Sequence, residues 1–263
     1  MKLAILFWFY KEPEICLNRL DLIKKHNPQA KIFGLYGGKK SEASNYQKKL
    51  GKYLDDFYLS PLHSKPSNWK WINGDLMIIE WYRDRGKKLK NWDSVIVIQW
   101  DALVLGNIKT QFPELKKDQI FISGTRVLDS YIESRWHWTK TKERKNYLAF
   151  KKYIADNYNY TKKPLCSLFI LQIFPRKFFD QWLTVKNKLI GMLEYKIPTY
   201  ALIFKIPFYK KDLGVAWFAK NKNTQNTPLN AIPTEIEDNY IKKQLTKKKG
   251  FRIFHPYLKS WKN

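Results

Sequence analysis

An α/β fold built on a mostly parallel, helix-flanked sheet is predicted by three features of the sequence. The chain opens on an unbroken apolar run from Leu3 to Tyr10, LAILFWFY, the composition of a strand buried on both faces of a parallel sheet. A helical pattern and a second strand follow within about 35 residues, the length of a βαβ unit. A second continuous apolar run, SVIVIQ from Ser94 to Gln99, is β-branched and closed by Trp100-Asp101, and strands and helices alternate up to Ser123.

The elements follow in order. Pro13 opens a helix through Ile15, Leu17, Leu20, Leu22 and Ile23. Lys24, Lys25 and His26 give it a basic last turn before Asn27-Pro28 stops it. KIFGLY, Lys31 to Tyr36, is the second strand, closed by Gly37-Gly38. A helix is expected over 41–54, a short strand over 56–60 and a Ser/Pro loop over 63–68. Leu76, Ile79 and Tyr82 then mark a helix over 75–85, stopped at Gly86. Leu103 to Leu105 reads as a short extended piece and Ile120 to Ser123 as a strand. The polar, aromatic stretch from Arg126 to Thr141 reads as a loop. A helix over 145–155, a strand over 165–174 and a helix over 175–189 with Pro175 in its first turn complete the pattern. The last 50 or so residues, with prolines at 207, 228, 233 and 256, read as irregular. No internal repeat and no long linker interrupts the chain. One domain over 1–263 is expected, with a nucleotide-binding half over 1–123, an acceptor half over 124–263 and a basic C-terminal tail folding back over the site.

Composition narrows the function classes. The chain has 263 residues, 44% of them hydrophobic, 16% aromatic and 27% charged, which excludes a low-hydrophobicity disordered chain. Lys and Arg number 49 against 23 Asp and Glu, a formal charge of +26. Such a field attracts nucleic acid, anionic lipid or nucleotide phosphates, although a lysine-rich composition with solvated side chains accounts for it equally well. Cys16 and Cys166 stand far apart and make neither a zinc site nor a disulfide framework, which fits a reducing compartment. The apolar start is too short to cross a bilayer and lacks a small-residue cleavage site, so no signal peptide is expected.

The segment VIVIQWDALVLG, 95–106, holds the most chemistry. A carboxylate at the carboxyl end of a buried α/β strand stands where such sheets place ligands. Asp101 there suits a hard divalent cation that would bridge a diphosphate and offset the charge on a departing nucleotide. A strand-end Asp is also a common loop or cap residue. His255, in the basic and aromatic tail, can complete a metal shell begun by a carboxylate, or be an ordinary surface histidine.

Six segments, LAILFWFY, KIFGLYGG, WKWINGDLMIIEWYRDRG, VIVIQWDALVLG, LEYKIPTY and FRIFHPY, occur in this order along nearly the whole chain. In that order they resemble bacterial GT-A glycosyltransferases, with a Rossmann-like, nucleotide-diphospho-sugar transferase fold. The family signature is Asp-x-Asp; here Gln99 holds the first position and Asp101 the last, which leaves strict metal dependence open. The resemblance implies a Mn²⁺ or Mg²⁺ held by Asp101 and His255. It implies a nucleoside pocket lined by Phe7, Trp8, Tyr10 and Gly37, with Trp100 beside Asp101. Lys70 would meet phosphate. Asp75 would approach the nucleoside or anchor its loop, or else cap the helix that begins at Leu76. Glu194, in a Glu-x-x-Ile-Pro-Thr pattern, is the candidate base for the acceptor hydroxyl, with a surface Glu paired to lysine as the plain alternative; Asp129 and Asp180 are weaker candidates. The stretch Ser134 to Trp138 could bound the acceptor, act as a lid or face lipid, and His137 could serve as a base only if it faces the pocket.

The expected activity is metal-assisted transfer of a sugar from a UDP-, GDP- or dTDP-sugar to a hydroxyl of a glycan or glycolipid, with inversion. The expected setting is cytoplasmic, with peripheral contact at the anionic inner membrane face. Two other classes stay in view. A basic nucleic-acid-binding protein is suggested by charge and aromatics, but no recognition motif accompanies them. A non-catalytic module on a transferase fold is suggested by Gln99. No GxxxxGK[ST] or GxGxxG pattern occurs, which sets aside P-loop and dinucleotide-binding enzymes.

Overall fold

The computed structural model describes residues 1–218, 224–232 and 234–262; Pro233, noted above, lies outside them. The strands are β1 (Leu3–Phe9), β2 (Ile32–Tyr36), β3 (Asp56–Leu59), β4 (Ser94–Gln99), β5 (Leu103–Val104), β6 (Phe121–Ile122), β7 (Arg126–Val127), β8 (Leu165–Cys166), β9 (Gln172–Pro175), β10 (Val215–Ala216), β11 (Leu229–Asn230) and β12 (Ile253–Phe254). The helices are α1 (Pro13–His26), α2 (Ala43–Leu50), α3 (Ser67–Trp81), α4 (Ile108–Gln111), α5 (Ser130–Arg135), α6 (Arg144–Tyr158), α7 (Arg176–Leu183), α8 (Leu193–Ile203) and α9 (Asp238–Leu245).

Six strands form one sheet in the order β3-β2-β1-β4-β9-β6. β3, β2, β1 and β4 are parallel, and β9 runs antiparallel to both neighbours. The sheet is therefore mostly parallel and Rossmann-like, as the apolar runs predict. From β1 the chain winds outward through β2 and β3, then returns to place β4 on the other side of β1. That reversal is the topological switch point, where open α/β sheets bind ligands beyond the carboxyl ends of their strands.

Every residue of β1 is buried, because helices cover both sheet faces and successive side chains point to opposite ones. Ala4, Leu6 and Trp8 pack with Met77, Trp81, Phe178 and Trp182 of α3 and α7. Leu3, Ile5, Phe7 and Phe9 pack with Cys16, Leu20, Tyr46 and Leu50 of α1 and α2. A third cluster joins Leu22 of α1 and Leu103 of β5 to Ile241, Phe254, Tyr257 and Trp261 near the C-terminus. Both cysteines are buried free thiols. Among the described residues no helix is long and apolar enough to cross a membrane.

The structure corrects several element boundaries. α3 begins at Ser67 rather than 75, with a non-helical Asn73 (φ −126°, ψ 21°) dividing it, so part of the expected Ser/Pro loop is helix. The stretch 126–141 contains β7 and α5, the latter capped by Asp129, whose carboxylate accepts the Ile132 N–H at 2.9 Å. The strand expected over 165–174 is broken into β8 and β9. Between them, main-chain and side-chain bonds to single residues stand in for a strand ladder: Ser167 N and Oγ donate to the Glu194 carbonyl at 2.8 and 3.0 Å, Leu168 N donates to the Ser123 carbonyl at 3.1 Å and Ser123 N to the Leu171 carbonyl at 3.0 Å, and Ser123 Oγ donates to the Leu168 carbonyl at 2.6 Å. Pro175 ends β9 and precedes α7 rather than lying in its first turn. α7 stops at Leu183, whose carbonyl accepts from Lys188 Nζ at 2.9 Å, a basic side chain closing the helix end. The C-terminal stretch expected to be irregular contains β10, β11, α9 and β12.

Candidate functional site

A cavity of about 520 Å³ opens at the switch point, beyond the ends of β1 and β4. Parallel pairing sets Trp8 opposite Gln99, and the Trp100 N–H continues the ladder to the Trp8 carbonyl at 2.9 Å. Tyr10, Trp100 and Asp101 therefore leave the sheet side by side into the cavity. Tyr10 and Trp100 meet edge to face with centroids 6.0 Å apart, and the Lys11 ammonium stands 4.8 Å from the Trp100 ring centroid.

The C-terminal segment returns to this end of the sheet. β12 pairs antiparallel with β5, Ile253 opposite Val104 and Phe254 opposite Leu103. The Tyr257 N–H donates to the Asp101 carbonyl at 2.8 Å. Between these two ties lies His255. Arg19, fully buried on α1, holds the segment from beneath: its Nη2 donates to the carbonyls of Tyr257 at 2.7 Å and Lys259 at 2.8 Å.

His255 and Asp101 face each other, Nε2 to Oδ1, at 3.5 Å. The other ring nitrogen, Nδ1, lies 2.8 Å from the Asn230 carbonyl. A carbonyl only accepts, so Nδ1 carries a proton and Nε2 is the nitrogen turned to the carboxylate. Asp101 Oδ1 is buried without a hydrogen-bond partner. Burial works to raise the Asp101 carboxyl, but the His255 charge, with Arg19 behind, holds it below its ordinary value. Burial likewise opposes the charged form of His255, and Asp101 outweighs it, leaving the imidazole above its ordinary value.

Glu194 lines the same cavity. It sits in the first turn of α8, is 9% exposed, and accepts the Phe169 N–H on Oε1 at 2.7 Å. Desolvation pushes its carboxyl up to about 7, with the Phe169 N–H and the Trp138 indole pulling the other way. It is a buried carboxyl rather than the surface Glu–lysine pair of the plain alternative.

Of the residues picked out from sequence, Trp8, Tyr10, Lys70, Trp100, Asp101, Glu194 and His255 line this cavity. Three do not. Phe7 points to the other face of β1, into the α1–α2 core, because its neighbour Trp8 takes the cavity face. Gly37 is packed behind the cavity: a Cβ there would stand 2.4 Å from Met77 Cε, and its carbonyl accepts from Lys70 Nζ at 2.7 Å. Asp75 is fully buried behind the cavity, 2.7 Å from Lys196 Nζ of α8, so it ties two helices together instead of meeting a nucleoside. Lys70 also donates to the His63 carbonyl at 2.8 Å, so two of its three donors tie the turn after β2 to the loop before α3. Asp129 is the cap of α5 and Asp180 accepts from Tyr82 Oη at 2.8 Å; neither lines the cavity, and nor does His137.

Of the stretch 134–138 expected to bound the acceptor, Trp138 lines the cavity, and sequence reasoning missed Lys11 and Phe169, which line it too. Lys11 follows directly on the strand that carries Trp8 and Tyr10, and that adjacency was the available signal. Phe169 lies in the break between β8 and β9, which hydrophobicity alone does not reveal.

No family model matches the chain, and no curated protein matches it. Among solved structures it is similar to the apo structure of WbbM, a bifunctional glycosyltransferase, at 10% identity and a TM-score of 0.46, over 98% of this chain and 46% of that one. It is also similar to a cytidylyltransferase from Leptospira borgpetersenii serovar Hardjo-bovis (strain JB197), at 10% identity and a TM-score of 0.43, over 81% of this chain and 76% of that one. Both likenesses are distant, and the chain spans less than half of WbbM's length.

Proposed function

We propose that the chain is a GT-A-type glycosyltransferase that moves a sugar from a nucleotide diphosphate to an acceptor hydroxyl. One observation carries the reading: the half-buried Asp101–His255 pair and the raised carboxyl of Glu194 share one cavity at the switch point of the sheet.

Asp101 and His255 fit a divalent cation. The orphaned Oδ1 is a hard oxygen donor, and His255 Nε2, 3.5 Å away, would join it in holding one divalent ion. Among the described residues no third His, Cys, Asp or Glu joins them. This is the sparse protein shell expected of Mg²⁺ or Mn²⁺ completed by substrate phosphates and water. When bound, such an ion offsets the charge that builds on the leaving diphosphate.

The chain's own residues supply the rest. Tyr10, Trp8 and Trp100 offer aromatic edges and faces to a nucleobase, and Lys11 brings positive charge to the same wall, beside Lys70. Glu194 takes the acceptor proton. A carboxyl titrating near 7 is half ionised at neutral pH and basic enough to accept a proton as the sugar carbon is attacked. A single base acting on an incoming hydroxyl gives inversion. Trp138, Met192 and Leu193 shield that proton transfer from water.

A glycan or glycolipid acceptor agrees with an exposed basic and aromatic surface beyond Trp136. There Tyr131 and Phe218 meet edge to face at 6.1 Å and Arg135 covers Tyr131 at 4.0 Å. With a charge of +26, this face suits peripheral contact with anionic lipid. Undiminished sedimentation of Tyr131→Ser/Arg135→Ser with phosphatidylglycerol vesicles would remove that assignment.

The transferase reading is tested by thermal shift with UDP-, GDP- and dTDP-sugars, with and without Mn²⁺. A ligand of the native state at 100 times its Kd stabilises by about 2.7 kcal/mol. A Mn²⁺-dependent rise with one donor, lost in Asp101→Asn and in His255→Ala, is the expected outcome. No rise with any donor, alongside a rise with DNA oligomers, would overturn it in favour of a nucleic-acid-binding protein.

A further inference from the structure

The structure assigns Gln99 as the positioning residue of Glu194, acting through the main chain of Phe169. Gln99 occupies the first position of the acidic signature, where a second metal-binding carboxylate would be looked for. Its Nε2 instead donates across the cavity to the Phe169 carbonyl at 3.1 Å, and the N–H of the same residue donates to Glu194 Oε1 at 2.7 Å. One residue thus receives a bond from the end of β4 and gives a bond to the first turn of α8.

The segment that carries this relay has no ladder of its own. Residues 167–171 lie between β8 and β9, and the Ser123 hydroxyl is shared between the Leu168 carbonyl at 2.6 Å and the Leu171 N–H at 3.3 Å. The Phe169 carbonyl is met by Gln99 alone among the contacts of the described residues. Removing that amide frees the peptide on one side, and the N–H that stabilises the Glu194 carboxylate loses its fixed direction. A carboxylate in the first position could not play this part. It carries only acceptors, and facing a carbonyl it would repel it. Gln at this position thus suits holding the base rather than holding a cation.

Charged groups facing Glu194 are few, which makes its titration a clean reporter. Burial dominates, the Phe169 N–H donates to it at 2.7 Å and the Trp138 indole also favours its charged form, and the ionisable group coupled to it is the Cys166 thiol of β8. Lys196, two residues along α8, is engaged with Asp75 and the Lys188 carbonyl.

The proposal uses the transferase reading only for its effect on turnover, so the test has two arms. The first is the carboxyl titration of Glu194 itself, followed by ¹³C-carboxyl NMR with Glu194→Gln to assign the signal. In Gln99→Met, of equal length but without a donor, the midpoint should rise by about half a pH unit or more, the scale of one hydrogen bond to a carboxylate. Gln99→Asn, one methylene short of the carbonyl, should move it the same way and covers the case in which the Met variant fails to fold. The second arm is turnover with the donor found by thermal shift: kcat should fall several-fold at pH 7 with its acid limb moved upward, and donor affinity should be unchanged. An unmoved Glu194 midpoint in the folded variants overturns the relay, whether or not any donor is turned over. A moved midpoint without turnover upholds the relay and counts against the transferase reading alone. Weaker donor binding with an unmoved midpoint would show Gln99 to be a donor contact instead.

Discussion

Replacing Glu194 by Gln should move stability and activity in opposite directions. In the folded chain the Glu194 carboxyl is pushed from 4.5 up to about 7 by burial. A carboxyl raised on folding contributes its stability fully below the unfolded value, and that contribution is lost as pH climbs from 4.5 through about 7. The displacement corresponds to about 3 kcal/mol at 1.36 kcal/mol per pH unit. Gln is isosteric, carries no charge at any pH, and its Oε1 can still accept the Phe169 N–H. Glu194→Gln should therefore match the wild type near pH 4.5 and gain on it steadily, to about 3 kcal/mol at pH 8. For a chain of this size that is about 6–12 °C in melting temperature. Over the same range it should lose about 10²-fold or more in kcat, the usual contribution of a general base. The assay is paired: urea unfolding of both proteins at pH 5 and pH 8, and nucleotide release with the donor identified by thermal shift. A stability difference that does not grow with pH would refute the buried-carboxyl argument, and full turnover in the variant would refute the base.

Three further outcomes follow from the packing. Lys196→Met should cost about 3–5 kcal/mol in urea unfolding, because it leaves the Asp75 carboxylate buried without its counter-charge; Lys196→Met/Asp75→Leu should recover most of that, and a double variant as unstable as the single one would count against the pair. Arg19→Met should destabilise by about 2 kcal/mol by leaving the Tyr257 and Lys259 carbonyls without their donor. Because those ties hold the strand that carries His255, it should also weaken the Mn²⁺-dependent thermal shift; an unaltered metal response would show that the β5–β12 pairing suffices. Gly74→Ala would bring a Cβ to 2.3 Å from Trp8 Cη2 and push the indole toward the cavity, at about 1–3 kcal/mol; weakened donor binding is expected, and unimpaired binding would place the nucleobase away from Trp8.

The sheet was legible because strands buried on both faces need continuous apolar runs, and LAILFWFY and SVIVIQ supply them. The break at 167–171 was not: it is as apolar as a strand, and its backbone is satisfied by main-chain and side-chain groups of Ser123 and Glu194, contributed from elsewhere in the fold. Asp75 and Lys196 illustrate the same limit. Read singly, each is an ordinary polar residue on a helix; only the meeting of α3 and α8 turns them into a buried pair.

For the site, local order along the chain determined that Trp8 and Tyr10 end one core strand and that Gln99, Trp100 and Asp101 end another, because a parallel strand must stop where its apolar run stops. Which side of β1 each residue faces was decided by the sheet, and it sent Phe7 into the core and Trp8 to the cavity. That His255 stands beside Asp101, that Glu194 lines the same cavity, and that Gln99 reaches Phe169 join residues 70 to more than 150 positions apart. Such contacts come from the return of β12 onto β5 and the packing of α8 against the broken strand, and no local pattern encodes them, since side-chain chemistry is a property of one residue and proximity a property of the closed fold.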